Sequence, residues 1–137
     1  MMSVNAFKGV ELGAGFASSA AFGSELHDEI LLDNDKIVRS SNNAGGIEGG
    51  MSNAQPIHVK VSMKPLSTLV KPLKSIDLAT MEPVLAHKER TDSCAVPAAS
   101  IIGESMLAIV LADALLEKFG GDSIKQLKKH IKSSGKY

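Results

Sequence analysis

The sequence predicts an α+β fold, and three observations carry that reading: a two-residue apolar period near the N-terminus, a clearer one between residues 57 and 64, and two helical patterns in the last third of the chain. From Val4 to Leu12 the apolar side chains fall at Val4, Ala6, Val10 and Leu12, as in a strand with one wet face, and Lys8 interrupts that face. Gly13 and Gly15 break the pattern. Phe16 to Leu26 holds enough Ala and Ser for a short helix, although its periodicity is weak. Asp33-Asn34-Asp35, Ser40-Ser41-Asn42-Asn43 and the glycines after them bury nothing obvious. Residues 29–46 are therefore expected to form a long loop that stays mobile until a ligand or another segment orders it.

In the segment Ile57 to Lys64, residues Ile57, Val59, Val61 and Met63 point one way and His58, Lys60, Ser62 and Lys64 the other, which predicts a strand with one core face. Lys64-Pro65 and Lys71-Pro72 end regular pairing, because proline has no amide hydrogen and restricts the residue before it. The chain from there to Glu89 reads as connection. Pro97 suits the first turn of a helix. From Ala98 to Phe119, Ile101, Ile102, Leu107, Ile109, Val110, Leu111, Leu115 and Leu116 cover most of the helix circumference, so burial on several sides is expected. Glu104 and Asp113 favour a protein interior over lipid for that helix. Gly120-Gly121 supplies a stop, Asp122 or Ser123 a cap, and Ile124, Leu127 and Ile131 the apolar stripe of a second helix. Lys125, Lys128, Lys129 and Lys132 read as its solvated face.

A chain of 137 residues suits one unit, and its formal net charge of zero removes the attraction that nonspecific binding to nucleic acid or an anionic membrane requires. Cys94 is the single cysteine, which fits a reducing, cytoplasmic compartment, and it reads as a small buried residue ahead of the long helix. The first residues lack the charged and apolar regions of a signal peptide. His27, His58, His87 and His130 are scattered without ligand spacing, so no metal site is proposed.

Three segments have the composition for chemistry. Residues 45–50 contain four glycines, which let backbone approach a flat ring or a phosphate; the same composition also describes a flexible surface loop. The strand that follows ends in Lys64-Pro65-Leu66-Ser67-Thr68, an ammonium, two hydroxyls and free amides suited to clamping phosphate. Arg90 and Asp92 stand two residues apart, so in extended backbone they share one side, either as a pocket wall or as a surface pair. Gly13-Ala14-Gly15 followed by Asp33 imitates a dinucleotide-binding fingerprint. Ser18 replaces the third glycine, however, and Lys8 and Glu11 do not suit a central parallel strand.

Met2 to Glu11, Ser41 to Gly50, Met63-Lys64-Pro65 and Arg90 to Pro97 together resemble chorismate synthase, in that family's order. The similarity continues through Gly103-Glu104-Ser105-Met106 and Leu111 to Leu116 as far as Phe119-Gly120-Gly121-Asp122. The resemblance implies a β-α-β sandwich with helices between two antiparallel sheets, assembled as a homotetramer. It also implies an anti-1,4-elimination of phosphate from 5-enolpyruvylshikimate 3-phosphate, giving chorismate, with reduced FMN as a transient electron donor. Carried over by position, Asn5, Ala6, Gly49, Lys64, Pro65, Leu66, Ser67, Thr68 and Arg90 match flavin-binding places, and Asp92 matches an aspartate that handles a proton near the flavin. Leu66 departs from the threonine common in the family, and Ala98 stands where many members have arginine. The family's two catalytic histidines and several substrate-binding arginines belong to an N-terminal half with no counterpart in this sequence. The chain is therefore expected to be inactive alone, as a truncated reading frame, a domain expressed separately or one piece of a split enzyme. The alternative is a noncatalytic nucleotide- or flavin-binding assembly module.

Overall fold

The computed structural model describes residues 1–89 and 94–135, and its contacts divide the chain into two compact units, Met2–Pro65 and Leu66–Tyr137 with Met1. The first unit contains, in chain order, β1 (Phe7–Leu12), a 3-10 turn (Gly15–Ala20), α1 (Gly23–Leu26), β2 (Ile30–Asp33), β3 (Lys36–Arg39), β4 (Ile47–Glu48), β5 (Met51–Ser52) and β6 (Val59–Met63). The second contains β7 (Lys74–Ile76), β8 (Pro83–Leu85), α2 (Val96–Phe119) and α3 (Ile124–Ser133). Every sheet among the described residues is a two-stranded antiparallel ribbon, so the class is α+β.

The β1–β6 ribbon explains why the first strand has an uneven apolar period. Phe7 lies opposite Met63, Val10 opposite Val61 and Leu12 opposite Val59, and the register slips between Phe7 and Gly9. Lys8 is the extra residue of a bulge. It takes up the three-residue step from Phe7 to Val10 and restores the apolar face beyond it. Phe7 is the buried anchor of that face. On the other face Gly9 lies opposite Ser62 and Glu11 opposite Lys60, with 3.4 Å between the Glu11 carboxylate and the Lys60 ammonium. The strand begins at Phe7 and not at Val4, because Ala6 turns the chain at φ +67° and the Phe7 N–H donates to the Val4 carbonyl (3.2 Å). Antiparallel pairing of β1, and the 3-10 turn after it, also rule out a dinucleotide-binding crossover at Gly13-Ala14-Gly15.

Two other expectations for this unit are corrected. The helix expected over Phe16 to Leu26 is a 3-10 turn followed by the four-residue α1, and the Ser18 and Ser19 hydroxyls donate to the Gly15 and Phe16 carbonyls (2.6 and 2.8 Å). The long loop expected over 29–46 contains the β2–β3 hairpin, closed by Asn34 and Asp35 at φ +48° and +61°. Asn-Asp between two apolar runs is a two-residue hairpin turn with both residues left-handed.

In the second unit, the stretch read as connection forms the β7–β8 hairpin. Asp77 organises its turn: the side chain accepts from the Ala79 and Thr80 amides (2.8 and 3.3 Å), and its carbonyl accepts from Met81 N–H (2.7 Å). Pro83 takes the first position of β8, where a missing donor is tolerated. Pro97 sits in the first turn of α2 and Ser123 caps α3, its hydroxyl accepting from Gln126 N–H (3.3 Å), as the sequence predicts. Leu127 of α3 is buried, and His130 Nδ1 lies 2.6 Å from the Phe119 carbonyl oxygen.

The expectation that α2 is buried on several sides is not met within the described residues. Only Ala99 and Gly103 of α2 are buried there, while Ile101, Ile109 and Val110 are more than 60% exposed. Cys94, expected to be buried, is exposed. By length and composition α2 is apolar enough to cross a membrane. Glu104 and Asp113 lie within it, and an acidic side chain at the centre of a bilayer costs about 2.5–3.5 kcal/mol, so a cover of protein suits this helix better than lipid.

Phe7 is 4% exposed and Phe16 76%. Phe7→Ala is expected to destabilise the first unit by about 3 kcal/mol, and Phe16→Ala by less than about 0.5 kcal/mol, as read from urea unfolding.

Candidate functional site

The β1–β6 ribbon brings two of the sequence-predicted segments together at one end. There the Lys64 N–H donates to the Ala6 carbonyl (2.7 Å), so Asn5-Ala6 and Lys64-Pro65 are backbone neighbours although 58 positions separate Ala6 from Lys64. The left-handed turn at Ala6 directs its carbonyl into that bond and leaves Asn5 exposed beside the exposed Lys64. This end of the ribbon therefore offers an ammonium and an amide side chain to solvent, a donor set suited to an anionic or carbonyl-bearing ligand.

The glycine-rich segment is tied to the opposite end. Gly13 N–H donates to the His58 carbonyl (2.9 Å), His58 N–H to the Gly45 carbonyl (3.1 Å) and Ala14 N–H to the Asn43 carbonyl (2.8 Å). Two backbones meet at Gly13 and Gly45 so closely that a Cβ on either would overlap the other chain. Asn42 completes the lacing, accepting from Gly46 N–H (2.9 Å) and donating to the Pro56 carbonyl (2.9 Å). Beyond this crossing the β4–β5 hairpin carries Gly49 and Gly50 at its tip, at φ +56° and +77°. No atom lies within 4 Å of where a Cβ of either would sit. The same openness lets a planar ring approach the backbone there.

Asp28 is the polar hub of this end. Its Oδ1 accepts from the Ser41 hydroxyl (2.5 Å) and from Asn43 N–H (2.7 Å), and its Oδ2 from Ala44 N–H (2.9 Å). Arg39 donates to the Asp28 carbonyl (3.4 Å) and pairs with Glu48 at 2.8 Å, next to Gly49. An open cleft of about 470 Å³ lies among them, lined by Leu12, His27, Asp28, Arg39, Asn43 and Glu48. Partial burial works to raise the Asp28 pKa, but the hydrogen bonds from Ser41, Ala44 and Asn43 and the charge of Arg39 outweigh it and hold the carboxyl below its ordinary 3.8. Asp28 is thus a committed acceptor and not a proton carrier at neutral pH.

Of the remaining predicted residues, Leu66, Ser67 and Thr68 follow Pro65 in the second unit, with Leu66 and Thr68 half-buried and Ser67 exposed. Arg90 and Asp92 lie outside the described residues. Sequence reasoning missed Asp28, Arg39 and Glu48. The signal available for Asp28 was a single acid placed just ahead of the β2–β3 hairpin and the Ser41-Asn42-Asn43 run, and nothing in the spacing says that the chain doubles back between them.

An α+β segment with an antiparallel ribbon, an asparagine–glycine crossing at one end and a Lys-Pro turn at the other has close relatives. A family model described as chorismate synthase matches residues 1–116. The chorismate synthase of Aquifex aeolicus (strain VF5) is 56% identical over 141 residues, covering 97% of this chain and 35% of that protein. The chorismate synthase of Geotalea uraniireducens (strain Rf4) is 52% identical, with 97% and 36% covered. A crystal structure of chorismate synthase superposes with a TM-score of 0.72 at 45% identity, over 97% of this chain and 32% of that one. The chain belongs to the chorismate synthase family and spans about a third of the length of these relatives.

Two predictions follow from the geometry at the glycine end. Gly45→Ala, which would drive a Cβ into Gly13, is expected to cost more than 3 kcal/mol of stability, whereas Gly49→Ala, with open space around it, costs only the left-handed penalty of about 1–2 kcal/mol in chemical unfolding. The folded pKa of Asp28 is below its unfolded value, so its hydrogen bonds contribute fully above 3.8 and are lost as pH falls through the lowered value. The amide resonances of Asn43 and Ala44 should titrate with a midpoint below 3.8, and a midpoint at or above it contradicts this account.

Proposed function

We propose that this chain supplies flavin-facing residues to a chorismate synthase site, for the anti-1,4-elimination of phosphate from 5-enolpyruvylshikimate 3-phosphate. The observation that carries the reading is the Lys64–Ala6 hydrogen bond, which makes neighbours of two separate segments that match flavin-binding places in the family. Reduced FMN, when bound, supplies an electron transiently as the phosphate leaves, with no net redox change. Lys64 neutralises anionic oxygen, and Asn5, the Ala6 backbone and Pro65 lie beside it at the same end of the ribbon. In the second unit Ser67 and Thr68 carry hydroxyls at places matched to the family's flavin site, whereas Leu66 lacks the hydroxyl of the threonine common at its place. Gly49 stands beyond the opposite end of the ribbon from Lys64, and its open backbone leaves room for a ring face there. Arg90 holds anionic flavin or substrate, and Asp92 holds the proton exchanged near the reduced ring.

The uncovered circumference of α2 supports a chain that works with further polypeptide and is inactive by itself. The reading places the complete enzyme in the cytoplasm as a homotetramer.

FMN titration followed by flavin fluorescence tests the reading. Lys64→Ala and Arg90→Ala are each expected to weaken binding about tenfold, the loss of one charge-assisted contact. Indifference to both substitutions favours a noncatalytic assembly module. Mixing the chain with the N-terminal two-thirds of a relative, under reducing conditions, should give phosphate release that neither piece gives alone.

A further inference from the structure

We propose that Asp28 is a positioning residue for the flavin-facing glycine hairpin: its carboxylate fixes the Ser41–Ala44 turn from which Gly45, Gly46 and then Gly49 are projected. The inference rests on the flavin reading for its ligand, but its geometric part stands on contacts of this chain alone. Between β3 and β4 the chain has no large apolar side chain to anchor it, and the burial at Gly45 and Gly46 is of backbone. Its place is set by polar contacts, and three of these converge on one carboxylate.

The chemistry requires an acid at this position. A hydroxyl and two amide N–H groups all donate toward Asp28, and an ionised carboxylate is an acceptor at both oxygens. An asparagine there would turn an NH₂ group toward at least one of those donors. From Ala44 the next two residues form the close crossing with Gly13 and the contact with Pro56, where there is no room for a Cβ to shift, so the direction set at Asn43 and Ala44 is carried forward into β4. Arg39 closes the circuit from the other side, bonding the Asp28 carbonyl and the Glu48 carboxylate, one residue before Gly49. Both oxygens of Asp28 are taken up within the chain, so the residue acts through the hairpin and not on a bound molecule.

The test uses the 137-residue chain with Asp28→Asn, Asp28→Glu and Ser41→Ala, and reads amide hydrogen exchange and FMN affinity on each. In Asp28→Asn, exchange at Asn43 and Ala44 should rise at least about tenfold and the FMN dissociation constant about tenfold, while Val10 and Val61 of the β1–β6 ladder keep their protection. Asp28→Glu, which keeps the acceptor, should recover part of both losses. Ser41→Ala removes one donor of three and should show a smaller change of the same sign; it decides the matter if Asp28→Asn loses the ladder protection. Unchanged exchange at Asn43 and Ala44 overturns the proposal, as does an unchanged FMN affinity once those amides have been released. Equal impairment in the Asn and Glu variants, with the ladder intact, overturns it too. If the unsubstituted chain does not take up FMN, the flavin reading itself fails and the ligand named here falls with it; released amides alone would then show the clamp without that role.

Discussion

Six residues of β1 running against five of β6 set the positions of both candidate segments in the first unit. At one end of this ribbon Lys64 bonds back to Ala6; at the other His58 bonds to both Gly13 and Gly45. One ladder thus sets the position of the Lys-Pro turn and of the asparagine–glycine crossing together. The bulge at Lys8 keeps Phe7 and Val10 on one face, and without that extra residue one of them would turn outward. The ladder depends more on register than on bulk, because the core beneath it is small.

How far this was legible in the sequence varies by segment, for physical reasons. Strand β6 shows plainly because its alternation is uninterrupted, and α2 and α3 show because Pro97, the Gly120-Gly121 stop and the Ser123 cap are local signals. The β2–β3 and β7–β8 hairpins were hidden by their turns: Asn34-Asp35 and the residues after Asp77 look like loop composition, and only the backbone conformation shows them to be tight reversals. Of the proposed site, Asn5, Ala6, Gly49 and the Lys64 turn came from the four resemblance segments by position alone. The neighbourhood of Ala6 and Lys64 was not in the letters, because pairing register is a long-range property. Asp28 escaped for the same reason: its donors lie 13 to 16 residues further along the chain.

The two helices differ in apolar pattern. In α3 the stripe is narrow, and Leu127 on it is covered while Ile124 and Ile131 are exposed. In α2 apolar side chains run right round, and among the described residues little packs on them. A pattern on every face states a demand for neighbours, which an amphipathic stripe does not. That demand, with the one-third coverage of the relatives, supports the proposal that the chain works alongside further polypeptide.

The β2–β3 hairpin raises a separate matter of solution behaviour. Ile30, Leu32 and Ile37 are each at least 65% exposed, and among the described residues the ribbon has two strands, so both outer edges present amides and carbonyls open to further pairing. Such an edge is a template for strand addition by another copy and a seed for aggregation. Charge stands guard along it: Asp33, Asp35 and Lys36 at the tip, Glu29 and Arg39 at the base. Charged side chains of both signs flanking an apolar edge act as gatekeepers, because strand addition by another copy would have to desolvate them.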